Sequence, residues 1–321
     1  MGKVSIRDVA AMAGVSTATV SHVLNGTRFV SSETAKKVQD SIDALQYIPN
    51  VAARGFRIGK TKTIGFILPD FSNHFFSSLV ETVENTLSAR GYHLILATSR
   101  ENLRLELEHL QYFSAGVADG IILASAATDA SAIADILPSG YPLTLVDRHP
   151  SGLLWDSVTI SSEQAIFEAV DYLCKKGHER IGFLSGLPTL STSVERLNAY
   201  KTALRQNNLP FDNEMVQLGN SAVESTKLGT ENLIKMGCTA MVVCNGLMTY
   251  EAQQYLGDSR HNGTEIDIIG FKDDYRLVSG SAFISQPIDE LGVRTAQQIL
   301  NRIENPSSPI KEIVLNSMFV Y

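Results

Sequence analysis

The sequence predicts a small all-α head followed by an α/β body of doubly wound parallel sheets. Residues 1–60 contain eight Lys and Arg against four Asp and Glu, a net charge of +4, whereas the remainder carries −11. After residue 62, short apolar runs alternate with amphipathic helical stretches, a rhythm typical of parallel sheets. A basic head on an acidic body indicates a polyanionic partner for the head.

Helical periodicity in the head predicts three helices. A first helix begins after the N-cap Ser5 and ends at Gly14, and its apolar stripe comprises Ile6, Val9, Ala10 and Ala13. A second helix spans residues 17–24, and a third runs from about residue 32 to residue 45. Two short helices joined by a glycine-containing turn match the helix-turn-helix motif, whose second helix enters the DNA major groove. A three-helix interaction module without nucleic acid is the alternative, and the +4 charge favours DNA.

The body contains more strands than one sheet holds comfortably. Strands are predicted at residues 64–68, 93–97, 120–124, 143–147, 180–185, 241–244 and 266–271. Helices are predicted at residues 75–90, 103–113, 165–176, 193–207, 225–236 and 291–303. We therefore expect two lobes, joined by connections near residues 159–162 and 286–289.

The motifs of the whole chain resemble those of the lac repressor (LacI/GalR) family of bacterial transcription regulators. The head motif VSIRDVAAMAGVSTATVSHVLNG occupies residues 4–26. Further matches are DGIIL (119–123), LVDR (145–148), GHERIGF (177–183), ERLNAY (195–200), IIGF (268–271) and QPIDELG (286–292). The segment LPTLSTSVERL is similar to the fructose- and sucrose-responsive branch.

The resemblance implies a domain organisation. Residues 1–49 would form the helix-turn-helix DNA-binding domain, residues 50–61 a hinge, and residues 62–321 an effector-binding and dimerisation domain. That last domain would have the periplasmic-binding-protein-like fold, with an N-lobe of about 62–160 and 290–316 and a C-lobe of about 161–287. A last strand is predicted at IVLNSMFVY (313–321), and no heptad tail follows it, so a homodimer on a pseudo-palindromic operator is expected.

DNA contacts are also implied by the resemblance. The residues expected to contact bases are Thr17, Ala18 and His22. His22 stands where most relatives carry an arginine that makes a bidentate contact with guanine. Phosphate contacts are expected from Ser5, Ser16, Thr19, Ser21, Asn25 and Arg28.

The hinge adds three further contacts, Ala53, Arg54 and Phe56. In the family an apolar residue at the position of Phe56 wedges into a base step of the minor groove, and most relatives have leucine there. The alternative is a flexible basic linker, because Gly55 disfavours a helix.

The resemblance also implies effector-binding residues, which are assigned to this chain position by position. The family's binders match Asp70, His74, Phe75, Asp147, Thr192, Arg196 and Asn245. Arg196 is the strongest candidate, since a planar guanidinium suits vicinal hydroxyls, carboxylate or phosphate. From the residues alone, a salt bridge on the helix surface between Arg196 and Glu195 or another neighbour is the alternative.

Lys272 decides the expected effector class. Relatives that bind neutral sugars usually have an aspartate at this position, and Gly246 likewise replaces a usual aspartate. A cation beside Arg196 favours an anionic effector, a sugar phosphate or sugar acid. In the alternative, Asp273 takes over as hydroxyl acceptor, Lys272 points to solvent, and the effector is a neutral sugar.

Other functional classes are disfavoured. Three cysteines without a C-x-x-C pair argue against a disulfide framework or a zinc site, and we expect no cofactor. No apolar run reaches the length of a membrane helix and no signal-like core opens the chain, so a soluble cytoplasmic protein is expected, not an exported sugar-binding protein. No phosphate-binding, dinucleotide, nucleophile-elbow or H-E-x-x-H motif occurs, and we expect no enzyme.

Overall fold

The computed structural model describes residues 4–48, 60–152, 154–219, 223–258, 266–272 and 282–321. The chain divides into two compact units, residues 1–61 and residues 62–321. In the described parts of the chain, no helix has the length and apolar character needed to cross a membrane.

Within residues 4–48 the head forms three short helices: α1 (Ile6–Ala13), α2 (Thr17–Asn25) and α3 (Ser32–Leu45). Ser5 and Asp8 form the capping box of α1, and Gly14 ends that helix with a φ of 66°, a backbone conformation that glycine adopts without steric cost. The buried valines Val9, Val20 and Val38 come one from each helix. The predicted helical head is confirmed.

A six-stranded, fully parallel sheet forms the N-lobe. Its strands are β1 (Thr63–Leu68), β2 (His93–Thr98), β3 (Gly120–Leu123), β4 (Leu143–Asp147), β5 (Asp156–Ser161) and β11 (Glu312–Asn316). They lie in the order β11-β5-β4-β3-β1-β2, so β2 is an edge strand. The side chains of β1 alternate between two cores: Phe66 points into one and Ile67 into the other.

Helices cover both faces of this sheet. One face packs against α4 (His74–Ser88) and α11 (Ile288–Glu304), and the other against α5 (Leu103–Tyr112), a π-turn (Phe113–Val117) and α6 (Ser131–Ala134). Burial on both faces explains why the central strands are continuous apolar runs.

The C-lobe repeats the plan with a parallel sheet of four strands. These are β6 (Ile181–Ser185), β7 (Val216–Leu218), β8 (Ala240–Val243) and β9 (Asp267–Ile269), in the order β7-β6-β8-β9. Its helices are α7 (Glu163–Lys175), α8 (Ser191–Gln206), a 3₁₀ turn (Asn213–Met215), α9 (Val223–Lys235) and α10 (Gly246–Asp258). A single apolar core unites sheet and helices.

In the part of the body that the structure describes, three connections join the lobes. The chain crosses after β5, again between β10 (Phe283–Ser285) and α11, and finally at Ser317, between β11 and β12 (Met318–Val320). The last crossing splits the predicted C-terminal strand into two, and β12 pairs antiparallel with β10. The Ser317 and Ser162 hydroxyls hydrogen-bond at 3.0 Å where two crossings meet. The α/β body with two parallel-sheet lobes is thus confirmed.

Candidate functional site

The second head helix presents its first turn to solvent. Thr17 and Ala18 are exposed, and the Ser16 hydroxyl accepts a hydrogen bond from the Thr19 amide at 3.1 Å, which begins the helix. Val20 on the opposite side is fully buried. The two residues predicted to lead base reading are therefore free to meet a groove.

Most of the remaining head candidates have intramolecular partners. His22 lies within hydrogen-bonding distance of Thr27, with 2.8 Å between its Nδ1 and the hydroxyl. Asn25 donates to the Ser21 carbonyl at 2.7 Å, and Ser5 donates to Asp8. Arg28 is exposed. Ala53, Arg54 and Phe56 lie outside the described residues.

A cleft of about 550 Å³ opens where strands of both sheets end. Residues from the carboxyl ends of β1, β2 and β4 face residues that follow β6 and β8, which is the position where open α/β sheets bind ligands. Six predicted effector residues line it: Asp70, Phe75, Asp147, Thr192, Arg196 and Asn245.

Arg196 is buried and held on three sides. Its guanidinium donates to the Cys244 carbonyl at 2.6 Å and to Gln286 Oε1 at 3.0 Å, and it stacks 4.0 Å from the centre of the Phe271 ring. The side chain is 7% exposed, so the alternative of a surface ion pair is wrong. Because a guanidinium has five N–H donors, some donors remain available to a ligand after these two bonds.

Asp147 ends β4 at the cleft wall in a strained conformation. Its φ is +67°, an unusual value for a non-glycine residue, and such strain concentrates at ligand sites. Burial raises the pKa of Asp147, against the opposing influence of Arg148 and Arg196. The carboxyl group therefore lies buried in the cleft wall under the influence of two arginines.

An ion pair that the sequence analysis missed occupies the same wall. Arg148 donates to both carboxylate oxygens of Glu101, at 2.8 and 3.1 Å, and Arg148 Nε lies 3.5 Å from Asp147. Burial alone would lower the pKa of Arg148, but Glu101 and Asp147 outweigh it and raise that pKa. The two partners are 47 residues apart in sequence, so no local pattern indicates that they pair. The LVDR motif was the only sequence feature that drew attention to Arg148.

Two predicted effector residues do not line the described cleft. His74 begins α4 and turns its Nδ1 toward the Ser78 hydroxyl, at 3.2 Å. Lys272 is drawn away because its amide bonds to the Ile284 carbonyl and its ammonium lies 4.6 Å from the centre of the Phe283 ring. Lys272 is thus not among the described residues that line the cleft, and its role in effector binding stays a prediction. Asp273 lies outside the described residues.

Other lining residues were also missed. They include Phe71, Asn73, Phe76, Arg100, Leu187, Leu190, Ser193, Leu247 and Gln286. Gln286 belongs to the QPIDELG motif, whose match to the family was the available signal. Within the described residues no cluster of three or more His, Cys, Asp or Glu is arranged to hold a metal ion.

Comparison with known proteins agrees with this architecture. Residues 5–50 match the family model of bacterial regulatory proteins of the lacI family, and residues 61–261 match that of periplasmic binding proteins and the sugar binding domain of LacI family. The chain belongs to the lacI family of bacterial regulatory proteins. It is therefore a DNA-binding transcription regulator with a body that binds a small molecule.

Relatives of this lacI-family chain align over nearly its whole length. The HTH-type transcriptional repressor PurR of Photobacterium profundum is 31% identical over 98% of this chain and 97% of its own. Catabolite control protein A of Priestia megaterium is 33% identical, over 97% and 96%. These names do not support the fructose- and sucrose-responsive branch expected from the LPTLSTSVERL segment.

A solved structure agrees with the fold. The lac repressor dimer bound to operator and the anti-inducer ONPF superposes with a TM-score of 0.86, covering 100% of this chain and 98% of that chain at 23% identity. At this identity the likeness shows the fold alone. The expected periplasmic-binding-protein-like body is confirmed.

Proposed function

We propose that this chain is a homodimeric, cytoplasmic transcriptional repressor, not an enzyme, whose DNA binding is controlled by a small carbohydrate effector. The observation that carries the proposal is the combination, in one chain, of an exposed reading helix with a cleft whose walls offer Asp147 and Arg196 to hydroxyl groups. Residues 1–49 would bind DNA, residues 50–61 would act as the hinge, and residues 62–321 would bind effector and dimerise.

The edge of the N-lobe sheet supports dimerisation. Strand β2 ends the sheet, and its residues Ile95 and Leu96 are each 39% exposed. An exposed apolar edge strand is an aggregation hazard unless another chain covers it. Sedimentation equilibrium tests this step, since a monomer at micromolar concentration would overturn it.

Effector binding would act by shifting a conformational equilibrium. A ligand held between the walls favours the lobe arrangement to which it binds better, and it shifts DNA affinity only by that difference in affinity. The cleft residues proposed for this role are Asp70, Phe75, Asp147, Thr192, Arg196 and Asn245.

The effector class has two candidates. A sugar phosphate or sugar acid was expected from Lys272, but Lys272 stacks on Phe283 and does not line the described cleft, so this expectation loses its main support. A neutral sugar fits a wall where three acids accompany three arginines: Asp70, Glu101 and Asp147 with Arg100, Arg148 and Arg196.

DNA recognition is tested by selecting duplexes from a symmetric random pool and measuring affinity by fluorescence anisotropy. Affinity for the selected site should fall about 10³-fold or more between about 50 and 200 mM salt if at least six phosphates are contacted. Arg28→Ala should weaken selected and random DNA alike, because a phosphate contact carries no sequence information. His22→Arg should change base preference at one position.

The matched control is Arg104→Ala, an exposed arginine of the body whose loss should leave DNA affinity unchanged. A flat salt response, or equal effects of Arg28→Ala and Arg104→Ala, would refute the proposed interface. The effector is tested by thermal shift with neutral sugars and their phosphates and acids. A ligand at about 100 times its Kd adds about 2.7 kcal/mol.

A further inference from the structure

The cleft wall of the N-lobe already contains an anion bound to its buried arginine. Arg148 is 6% exposed, and both oxygens of Glu101 face its guanidinium at 2.8 and 3.1 Å. Two parallel N–H···O bonds are the geometry with which arginine binds a carboxylate or a phosphate. Both residues line the cleft, so the place where an anionic ligand would bind Arg148 is filled by the protein's own side chain.

Glu101 is held in place by an unusual backbone. Arg100 and Glu101 have φ values of 54° and 55°, two consecutive non-glycine residues in the left-handed region. Each such residue costs of order 1–3 kcal/mol and persists only where surrounding contacts enforce it. The bidentate pair with Arg148 is such a contact, and it ties the loop after β2 to the end of β4 across two intervening strands.

An anion that binds Arg148 would have to break this pair. Glu101 is intramolecular and therefore present at a high effective concentration beside Arg148. A displaced carboxylate would also remain in the cleft and repel the ligand. A neutral ligand avoids both costs, because it leaves the pair intact and uses only the remaining hydrogen-bonding groups of the wall.

We propose that Glu101 is a specificity determinant: it acts as a built-in counter-anion for Arg148 and restricts the cleft to neutral, hydroxyl-bearing ligands. This inference rests on the proposed function in taking the cleft as the effector site. The Glu101 carboxylate thus excludes sugar phosphates and sugar acids, although two buried arginines line the cleft.

The test uses the full-length chain and inorganic phosphate as the probe. Phosphate binding is measured by titration calorimetry and by thermal shift, with chloride at equal ionic strength as reference. Wild type should show no binding in the cleft, whereas Glu101→Gln, which keeps size and removes charge, should gain phosphate affinity by about tenfold or more. The Glu101 side chain is 30% exposed, so the amide replaces it without burying a new polar group completely.

Two controls localise the gain. Glu108→Gln removes another glutamate that pairs with an arginine, Arg104 at 3.8 Å, but neither residue lines the cleft, and phosphate affinity should stay at the wild-type level. Adding Arg148→Met to Glu101→Gln should abolish the gain.

Three results would each overturn the inference: phosphate binding by wild type as tight as by Glu101→Gln, no gain in Glu101→Gln, or a gain that survives Arg148→Met. Operator binding is measured separately on the same variants. A chain that fails to bind any selected DNA refutes the proposed function, and that outcome is distinct from a failed phosphate result.

Discussion

Replacing Arg196 by lysine tests whether the guanidinium shape, and not only its charge, supports the cleft. In the structure this side chain donates to the Cys244 carbonyl and to Gln286 and stacks on the Phe271 ring. A lysine ammonium keeps the charge but carries its three N–H donors on one nitrogen, without the separated nitrogens and the planar face of a guanidinium. It can bond to one of the two acceptors, and the other is left without its donor.

The expected cost follows from these contacts. A hydrogen bond that involves a charged group contributes about 1.5–3 kcal/mol. Stacking of a desolvated cation on a ring contributes about 1–2 kcal/mol. Losing one bond and most of the stacking should therefore destabilise the body by about 3 kcal/mol. For a unit of this size, each kcal/mol lowers Tm by about 2–4 °C, so Tm should fall by roughly 6–12 °C.

Scanning calorimetry measures this shift, and fluorescence of the single tryptophan, Trp155, which packs in an N-lobe core, reports the transition of the body. Arg294→Lys is the matched control. Arg294 pairs with Glu290 at 3.2 Å on an exposed helix face, where both side chains are about half exposed, and the change should cost less than about 0.5 kcal/mol. If Arg196→Lys melts within about 2 °C of Arg294→Lys, the reasoning from the fork geometry is refuted.

Two further predictions concern the core. A Cβ on Gly65 would lie 2.4 Å from Phe113 Cδ2, so Gly65→Ala should lower the free energy of unfolding in urea by about 1–3 kcal/mol. The control is Gly257→Ala, whose Cβ meets nothing within 4 Å and should stabilise its helix by about 0.5–1 kcal/mol. Equal effects of the two substitutions would contradict the packing argument. Asp156→Asn should cost about 3–5 kcal/mol at about pH 7, because it leaves Arg302 without its buried anion. Burial raises the pKa of Asp156, but hydrogen bonds from the Arg302 side chain and the Lys311 amide outweigh burial, so the pKa lies below its usual value. The ionised Asp156 therefore stabilises the fold above about pH 4, and this stabilisation is lost as the pH falls through the lowered pKa. The gap between wild type and Asp156→Asn should narrow at acid pH, and a constant gap would exclude this linkage.

Local patterns predicted the head and most body elements well. Helix α3 was expected from about residue 32 to 45 and spans Ser32–Leu45, because Ser31 caps it and its apolar stripe is regular. The central strands were recognisable because burial on both faces makes them continuous apolar runs.

Elements that depend on distant partners were missed. Strand β5 begins with the buried Asp156 and Ser157, two polar residues that in sequence are typical of a loop. They can be buried because Arg302, 146 residues later, compensates the charge of Asp156. Helix α10 (Gly246–Asp258) was also missed, although Asn245, a favoured N-cap residue, precedes it and its Oδ1 accepts a hydrogen bond from the Met248 amide at 2.9 Å. The C-terminal strand was expected to be single because nothing local indicates that Ser317 marks a crossing between sheets.

The same reasoning explains which parts of the cleft were predicted. A residue that follows a strand is placed at the sheet edge by local structure, so Asp70, Asp147 and Asn245 reach the cleft as expected. Lys272 also follows a strand, but its backbone pairs with Ile284, a contact that no pattern around residue 272 indicates. The Glu101–Arg148 pair joins loops from two strands that are not neighbours in the sheet. Position in the cleft was thus predictable from sequence, whereas the charge that a ligand meets depends on pairing between loops. Effector class in this chain has to be inferred from that pairing, because the residue types alone favoured an anionic effector, whereas the pairing favours a neutral one.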